Sequence, residues 1–256
     1  MSQSIDMESN NNTKKLDEIN EKFVFDLQKQ SIELSNIQTK QFRQYYHLLM
    51  EWNQKINLTA ITEPEEVYYK HFYDSLTLTM TYPNVAGNFA MIDVGSGAGF
   101  PGIPLKILHP ELKITFLDSL NKRIKYLQTI TDELRLRDCK FVHGRAEEVA
   151  HRPEYREAFD FAVARAVAKI AVLNELCLPF IRVKGCFYAM KGPDVEMELK
   201  EAKKSLQILK AKINNTIELK LPHDYGKRTI IEIKKTDRIP RQYPRKPGTP
   251  SKMPLI

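Results

Sequence analysis

Apolar residues along this chain recur at two spacings, and the change from one spacing to the other divides it into elements. Between Gln38 and Ile56, the residues Phe42, Tyr45, Tyr46, Leu49, Trp52 and Ile56 fall at helical intervals. That pattern predicts an amphipathic helix with Trp52 in a core. A second helix is expected from near Thr62, with Pro64 in its first turn, Glu65 three residues after the cap, and Val67, Phe72 and Leu76 on one side. Short apolar runs follow at Phe89–Val94, Lys113–Asp118, Lys140–His143, Phe159–Ala164 and Gly185–Met190, with helix-like segments between them and another helix at Val195–Leu209. Such alternation implies an α/β fold with a parallel sheet covered on both faces. Thr216–Leu221 and Arg228–Lys235 flank the turn Pro222-His-Asp-Tyr-Gly226, so they are expected to pair as an antiparallel hairpin at one edge. The expected organisation is a polar, disordered extension over residues 1–35, a helical cap over 36–84, a sheet domain over 85–236 and a basic, proline-rich tail over 237–256 packed on the domain.

Composition narrows the setting. At 256 residues with 42% hydrophobic content, the chain can bury a full core. No stretch approaches the roughly 18 uncharged apolar residues of a membrane span, so no membrane association is expected. The polar start Met1-Ser-Gln-Ser-Ile-Asp does not read as a signal peptide. Cys139, Cys177 and Cys186 are widely spaced, which indicates neither a disulfide framework nor a zinc site and suits a reducing cytoplasm. The net charge of +7 is uneven: residues 184–256 hold 17 Lys/Arg against 8 Asp/Glu. A polyanion such as RNA would feel that excess, and a well-solvated lysine-rich surface would look the same.

The densest chemistry lies in Asp93-Val-Gly-Ser-Gly-Ala-Gly-Phe-Pro-Gly102, between a strand-like run and a helix start carrying Pro104. Glycines here allow a sharp turn and close approach of a ligand to the backbone. A carboxylate just ahead of the turn would oppose a pyrophosphate but suits the sulfonium and ammonium of S-adenosylmethionine. The string Gly97-x-Gly99-x-x-Gly102 also fits the dinucleotide fingerprint of NAD(P)-dependent oxidoreductases, a weak match alone. Asp118, ending the second strand, is placed for an adenosine ribose or serves as a helix cap.

The acceptor atom is approached by elimination. The place where amine-directed enzymes carry an Asn/Asp-Pro-Pro-aromatic loop reads Val163-Ala-Arg-Ala-Val167. Cys177 sits deep in an apolar run, unlike the nucleophile that pyrimidine carbon methylation needs. A ring nitrogen with its own lone pair needs only in-line placement. Arg165 after the fourth strand is positioned for a base edge, a phosphate or a cofactor carboxylate, the competing reading being a structural ion pair. Gly144-Arg-Ala-Glu-Glu148 is where an adenine would be held, with Ala146 and Glu147 as contacts, or is simply an acidic helix start. His71, His143 and His223 read as structural, and Lys191-Gly-Pro-Asp194 as a turn beside the acceptor pocket.

Several strings together are narrower than any of them alone: Trp52-Asn-Gln-Lys-Ile-Asn-Leu-Thr59, His71-Phe-Tyr-Asp-Ser-Leu76, the glycine turn, Asp118-Ser-Leu-Asn-Lys-Arg123, Gly144-Arg-Ala-Glu147, Ala164-Arg-Ala166 and Arg245-Lys-Pro-Gly-Thr-Pro-Ser-Lys252. From about residue 40 onward they resemble the bacterial 16S ribosomal RNA guanine-N7 methyltransferases (RsmG, also called GidB). The resemblance implies a Rossmann-like class I methyltransferase fold, with a mostly parallel seven-stranded sheet, an antiparallel C-terminal edge hairpin and an N-terminal helical cap. It further implies methyl transfer from S-adenosylmethionine to N7 of a guanine in the 530 loop of 16S ribosomal RNA, without metal or covalent intermediate. By matching positions, cofactor contacts fall on Gly95, Phe100, Asp118, Ala146, Glu147 and Arg165, to which the turn adds Asp93, Gly97 and Gly99. Arg245, Lys246 and Lys252 would face the RNA, and Arg165 has a second reading on the acceptor side. The chain departs from the family at its first 35 or so residues, at Phe100, where leucine is common, and at Met253, where asparagine is frequent. A cytoplasmic monomer acting on free RNA or a 30S particle is expected. The alternatives are an oxidoreductase and a non-catalytic RNA-binding module.

Overall fold

The computed structural model describes residues 2–165 and 168–256, with side chains from Lys14 onward. An N-terminal set of helices precedes the sheet: α1 (Ser2–Gln28), α2 (Asn36–Ile56), α3 (Pro64–Val67), a π-helical turn (Tyr68–Tyr73) and α4 (Asp74–Thr81). Ser35 and Gln38 form a reciprocal capping box at the start of α2, and Asn57 ends it in the left-handed conformation. Phe42, Tyr45 and Leu49 are its buried face. Trp52 packs against this core, its ring 5.7 Å from Tyr126.

The alternating part runs β1 (Ala90–Val94), α5 (Gly102–Leu108), β2 (Lys113–Asp118), α6 (Asn121–Glu133), β3 (Cys139–His143), α7 (Ala146–Val149), β4 (Phe159–Arg165), α8 (Ile170–Cys177), β5 (Ile181–Lys191), α9 (Glu196–Glu201) and α10 (Lys203–Ile208). The hairpin β6 (Ala211–Lys220) and β7 (Lys227–Lys235), then α11 (Thr249–Lys252), complete it. The sheet order is β3-β2-β1-β4-β5-β7-β6. β1 to β5 pair in parallel, whereas β7 lies antiparallel to both β5 and β6. This is the expected sheet, in the order that places a topological switch between β1 and β4.

Period-two alternation sends the strand side chains into two cores. Met91, Phe116, Phe161 and Tyr188 face the helical cap, α5 and α6. Ile92, Leu117, Ala162 and Phe187 face α8, α10 and the tail residues Ile239 and Leu255.

Three expectations need correction. Residues 14–35 are not a disordered extension: α1 buries Leu16, Ile19, Phe23 and Leu27 against the cap, so apolar burial holds a segment that polarity alone had placed outside the fold. The helix expected from Thr62 begins at Pro64 with no side-chain cap, and it widens into the π turn before α4. The single helix expected over Val195–Leu209 is two, meeting at the buried Ala202.

Candidate active site

The turn after β1 is held from all sides. Gly95, Gly97 and Gly99 have φ of 77°, 58° and 94°, values that only glycine adopts without strain. A side chain at Gly99 would collide with Ile103 and the Tyr45 hydroxyl, the nearest approach being 2.5 Å. Tyr45 and Tyr126 both donate to the Ala98 carbonyl, at 2.6 and 3.3 Å. At Gly97, by contrast, the nearest atom is the Gly95 carbonyl at 3.8 Å, so this point of the turn is open to a ligand.

Six of the turn's amides are already used. Gly95 and Ser96 donate to the Leu117 carbonyl, Gly99 and Phe100 to the Ser96 carbonyl, Gly97 to Asp118 Oδ2 and Gly102 to Asp93 Oδ2. A pyrophosphate cradle needs such groups free.

Two cavities meet at Gly95 on the C-terminal edge of the sheet. One, of about 230 Å³, is lined by Gly95, Asp118, Ala146, Glu147, Leu176 and Ser251, among others. The other, of about 410 Å³, is lined by Gly95, Gly97, Phe100, Arg165, Lys191 and Arg228, together with Thr59, His71 and Asp74. Six of the expected contacts and Gly97 are therefore brought together around one cleft. Asp93 and Gly99 line neither cavity. Asp93 is fully buried behind the turn, where its carboxylate accepts from Gly102 at 3.0 Å and its Oδ1 has no partner. Burial pushes its carboxyl up to about 7, against the opposing pull of the Gly102 amide and Arg165. In that position it fixes the turn through the Gly102 amide.

Asp118 is 3% exposed and ties three points together: Oδ1 accepts from Leu120, and Oδ2 accepts from Gly97 and lies 3.6 Å from Arg123. Glu147 receives the Gly248 amide at 2.9 Å and Arg145 at 3.2 Å on Oε1. Burial would raise its carboxyl, but these donors hold it below the usual value.

Arg165 is almost enclosed. Its Nη1 donates to the His71 carbonyl at 3.2 Å, the Lys70 carbonyl at 3.5 Å and Asp74 Oδ2 at 3.1 Å, and its guanidinium sits 4.7 Å from the Phe100 ring centre. The π turn explains these carbonyls: widening the helix spoils the regular i to i−4 ladder and leaves main-chain oxygens for other donors. Asp74, 7% exposed, also accepts Arg228 Nε at 3.1 Å, so one carboxylate serves two arginines. His71 stacks on Phe100 at 4.5 Å and contacts Thr59 Oγ1 at 2.9 Å. Burial, and then Arg165, depress it to about 3, which leaves a neutral, weakly basic ring. His143 meets the Ser119 carbonyl, and His223 pairs with Asp26 at 2.7 Å away from the cleft.

Asp74, Thr59, Arg228 and Ser251 had been given no site role. Asp74 carried a readable signal, an acid among the apolar positions of a helix; Arg228 and Ser251 reach the cleft only through tertiary packing. Arg245 is paired with Glu175, whereas Lys246 and Lys252 are exposed. Ala166 and Val167, part of the stretch that follows β4, lie outside the described residues. Among the described residues, no three His, Cys, Asp or Glu side chains gather to hold a metal, and no helix is long and apolar enough to cross a membrane.

Residues 38–230 match the family model for GidB, rRNA small subunit methyltransferase G. A ribosomal RNA small subunit methyltransferase G of Staphylococcus epidermidis is 50% identical over 230 residues, covering 90% of this chain and 95% of that protein. One from Lactobacillus acidophilus is 48% identical over 236 residues, covering 92% and 98%. Among solved structures, MtNAS in complex with MTA and tNA superposes with a TM-score of 0.53 at 11% identity, over 78% of this chain and 75% of that one. That likeness concerns the fold alone.

Proposed function

The chain belongs to the rRNA small subunit methyltransferase G family, and from that premise we propose that it transfers the methyl group of S-adenosylmethionine to N7 of a guanine in the 530 loop of 16S ribosomal RNA. The observation that carries the donor assignment is the turn most of whose amides are already spent within the protein. It offers little to a dinucleotide diphosphate, which disfavours the oxidoreductase reading, yet its open Gly97 and the acidic Asp118 suit a cationic, phosphate-free nucleoside.

Gly95, Asp118, Ala146 and Glu147 would hold the adenosine side of the donor, and Gly97, Phe100 and Arg165 its amino-acid side. When bound, the donor supplies an electrophilic methyl group on sulfur. The chain's own residues then place the acceptor. Lys70, Arg165, Lys191 and Arg228 line the larger cavity and share the carboxylates of Glu66, Asp74 and Glu198, a slight positive excess that fits an RNA phosphate. A guanine N7 has a lone pair and loses no proton, so no base is required, and the neutral His71 is suited to packing and orientation. Rate enhancement then rests on in-line placement and exclusion of water. The intact cleft disfavours a non-catalytic RNA-binding module. The same reading makes the protein a cytoplasmic monomer whose substrate is small-subunit RNA, free or within a 30S particle.

Mapping N7-methylguanine in small-subunit RNA from cells with and without the protein tests the proposal. One modified guanine should vanish from the 530 loop when the gene is removed. An unchanged modification profile overturns the substrate, and uptake of a nicotinamide dinucleotide in place of S-adenosylmethionine in calorimetry overturns the donor.

A further inference from the structure

The tail runs past α7 and α8 and is fastened there by partly buried polar contacts. Arg156 donates to the carbonyls of Ile239 and Tyr243, at 3.1 and 2.9 Å, and His151 Nε2 lies 2.7 Å from the Pro244 carbonyl. The strongest fastening comes next. Glu175, on α8, is fully buried, and Arg245 meets it through three groups: its amide at 2.7 Å, Nε at 2.9 Å and Nη2 at 2.7 Å. A carboxylate at that depth is tolerated only with such a partner. The same Nη2 reaches forward to the Met253 carbonyl at 2.8 Å, so one guanidinium clasps both ends of the short segment containing α11.

Within that clasp lie one group that holds a lining residue of the smaller cavity and one that lines it. Gly248, at φ 82°, gives its amide to Glu147, and Ser251 forms part of the cavity wall beside Asp118 and Ala146. Leu173 and Leu176, on either side of Glu175 along α8, form another part of the wall. The Arg245–Glu175 pair thus sits one layer behind the cleft and fixes what faces it.

We propose that Arg245 is a positioning residue of the donor cleft: its pairing with Glu175 seats the tail so that Gly248 holds Glu147 in place and Ser251 completes the wall, and tail docking and donor binding strengthen each other. This rests on reading the smaller cavity as the donor's. Arg245 therefore acts inward, and the phosphate contacts of the tail fall to the exposed Lys246 and Lys252. Because coupling is reciprocal, whatever the seated tail adds to donor affinity the donor adds to the seating of the tail.

Calorimetric titration of the full chain with S-adenosylmethionine tests it. Arg245→Ala should bind about tenfold more weakly. Arg245→Lys, which keeps the charge but loses the two-pronged contact, should fall between that variant and the wild type. Hydrogen exchange on the wild type supplies a readout that does not depend on a folded variant: the donor should slow exchange of the amides from Arg245 to Met253, Gly248 above all. Equal affinity of Arg245→Ala and wild type, or exchange across the tail that the donor leaves unchanged, overturns the inference while leaving the functional reading intact. A wild-type chain that takes up no S-adenosylmethionine overturns the functional reading, and this inference with it.

Discussion

Two buried groups near the cleft titrate over the same pH range with opposite signs. Asp93 is pushed from its ordinary 3.8 to about 7, chiefly by burial, so the folded protein holds this proton where the unfolded chain has released it. Its contribution to stability is full below about pH 4 and is lost as pH rises to about 7. His71 is depressed from 6.5 to about 3, again chiefly by burial. Its contribution is full above about pH 6.5 and is lost as pH falls toward 3. The wild type therefore shows a partial cancellation that a single substitution exposes. Asp93→Asn should compare worst with the wild type near pH 4 and best above pH 7, the difference changing by on the order of 3 kcal/mol across the range. Urea unfolding midpoints at several pH values measure it, and a pH-independent difference would contradict the burial argument.

At the level of elements, the strands were readable because each apolar run is short, bounded by turn residues and free of helical spacing: Lys113–Asp118 was expected and found at the same limits. The glycine turn was equally legible, since few other purposes need three positive-φ positions so close together. α1 was lost for an instructive reason. Leu16, Ile19, Phe23 and Leu27 do follow a helical period, but charged and amide residues around them lower the average hydrophobicity below that of a folded segment. The π turn had no signature at all, and the arginine that uses its carbonyls arrives from β4, far along the chain. For the same reason, the inward role of Asp93 and the pinning of Arg245 could not be read from their spacing. That α1 belongs to the core can be measured. Phe23 is fully buried and packs edge-on against Phe42 and Tyr68, both at 5.2 Å. Phe23→Ala should cost about 3–5 kcal/mol of unfolding free energy in urea; a loss under about 1 kcal/mol would mean that the segment merely rests on the fold.

Over the whole molecule, the positive excess of the last third of the chain is carried on β7 and the tail, which border the two cavities. RNA affinity should accordingly fall steeply with salt, and Lys246→Ala and Lys252→Ala should each flatten the log–log slope by about one. Slopes identical to the wild type would remove the tail from the RNA path. Cap, central strand and edge hairpin converge on a single carboxylate, for Asp74 reaches Arg165 of β4 and Arg228 of β7 at once. The π turn just before it sets the rotation at which that carboxylate emerges. A π turn amounts to an ordinary helix with one surplus residue, and each residue of a helix advances it by about 100°. Loss of one residue between Pro64 and Thr81 would therefore leave the segment helical while swinging either its aromatic face or its acid a quarter-turn away from the arginines.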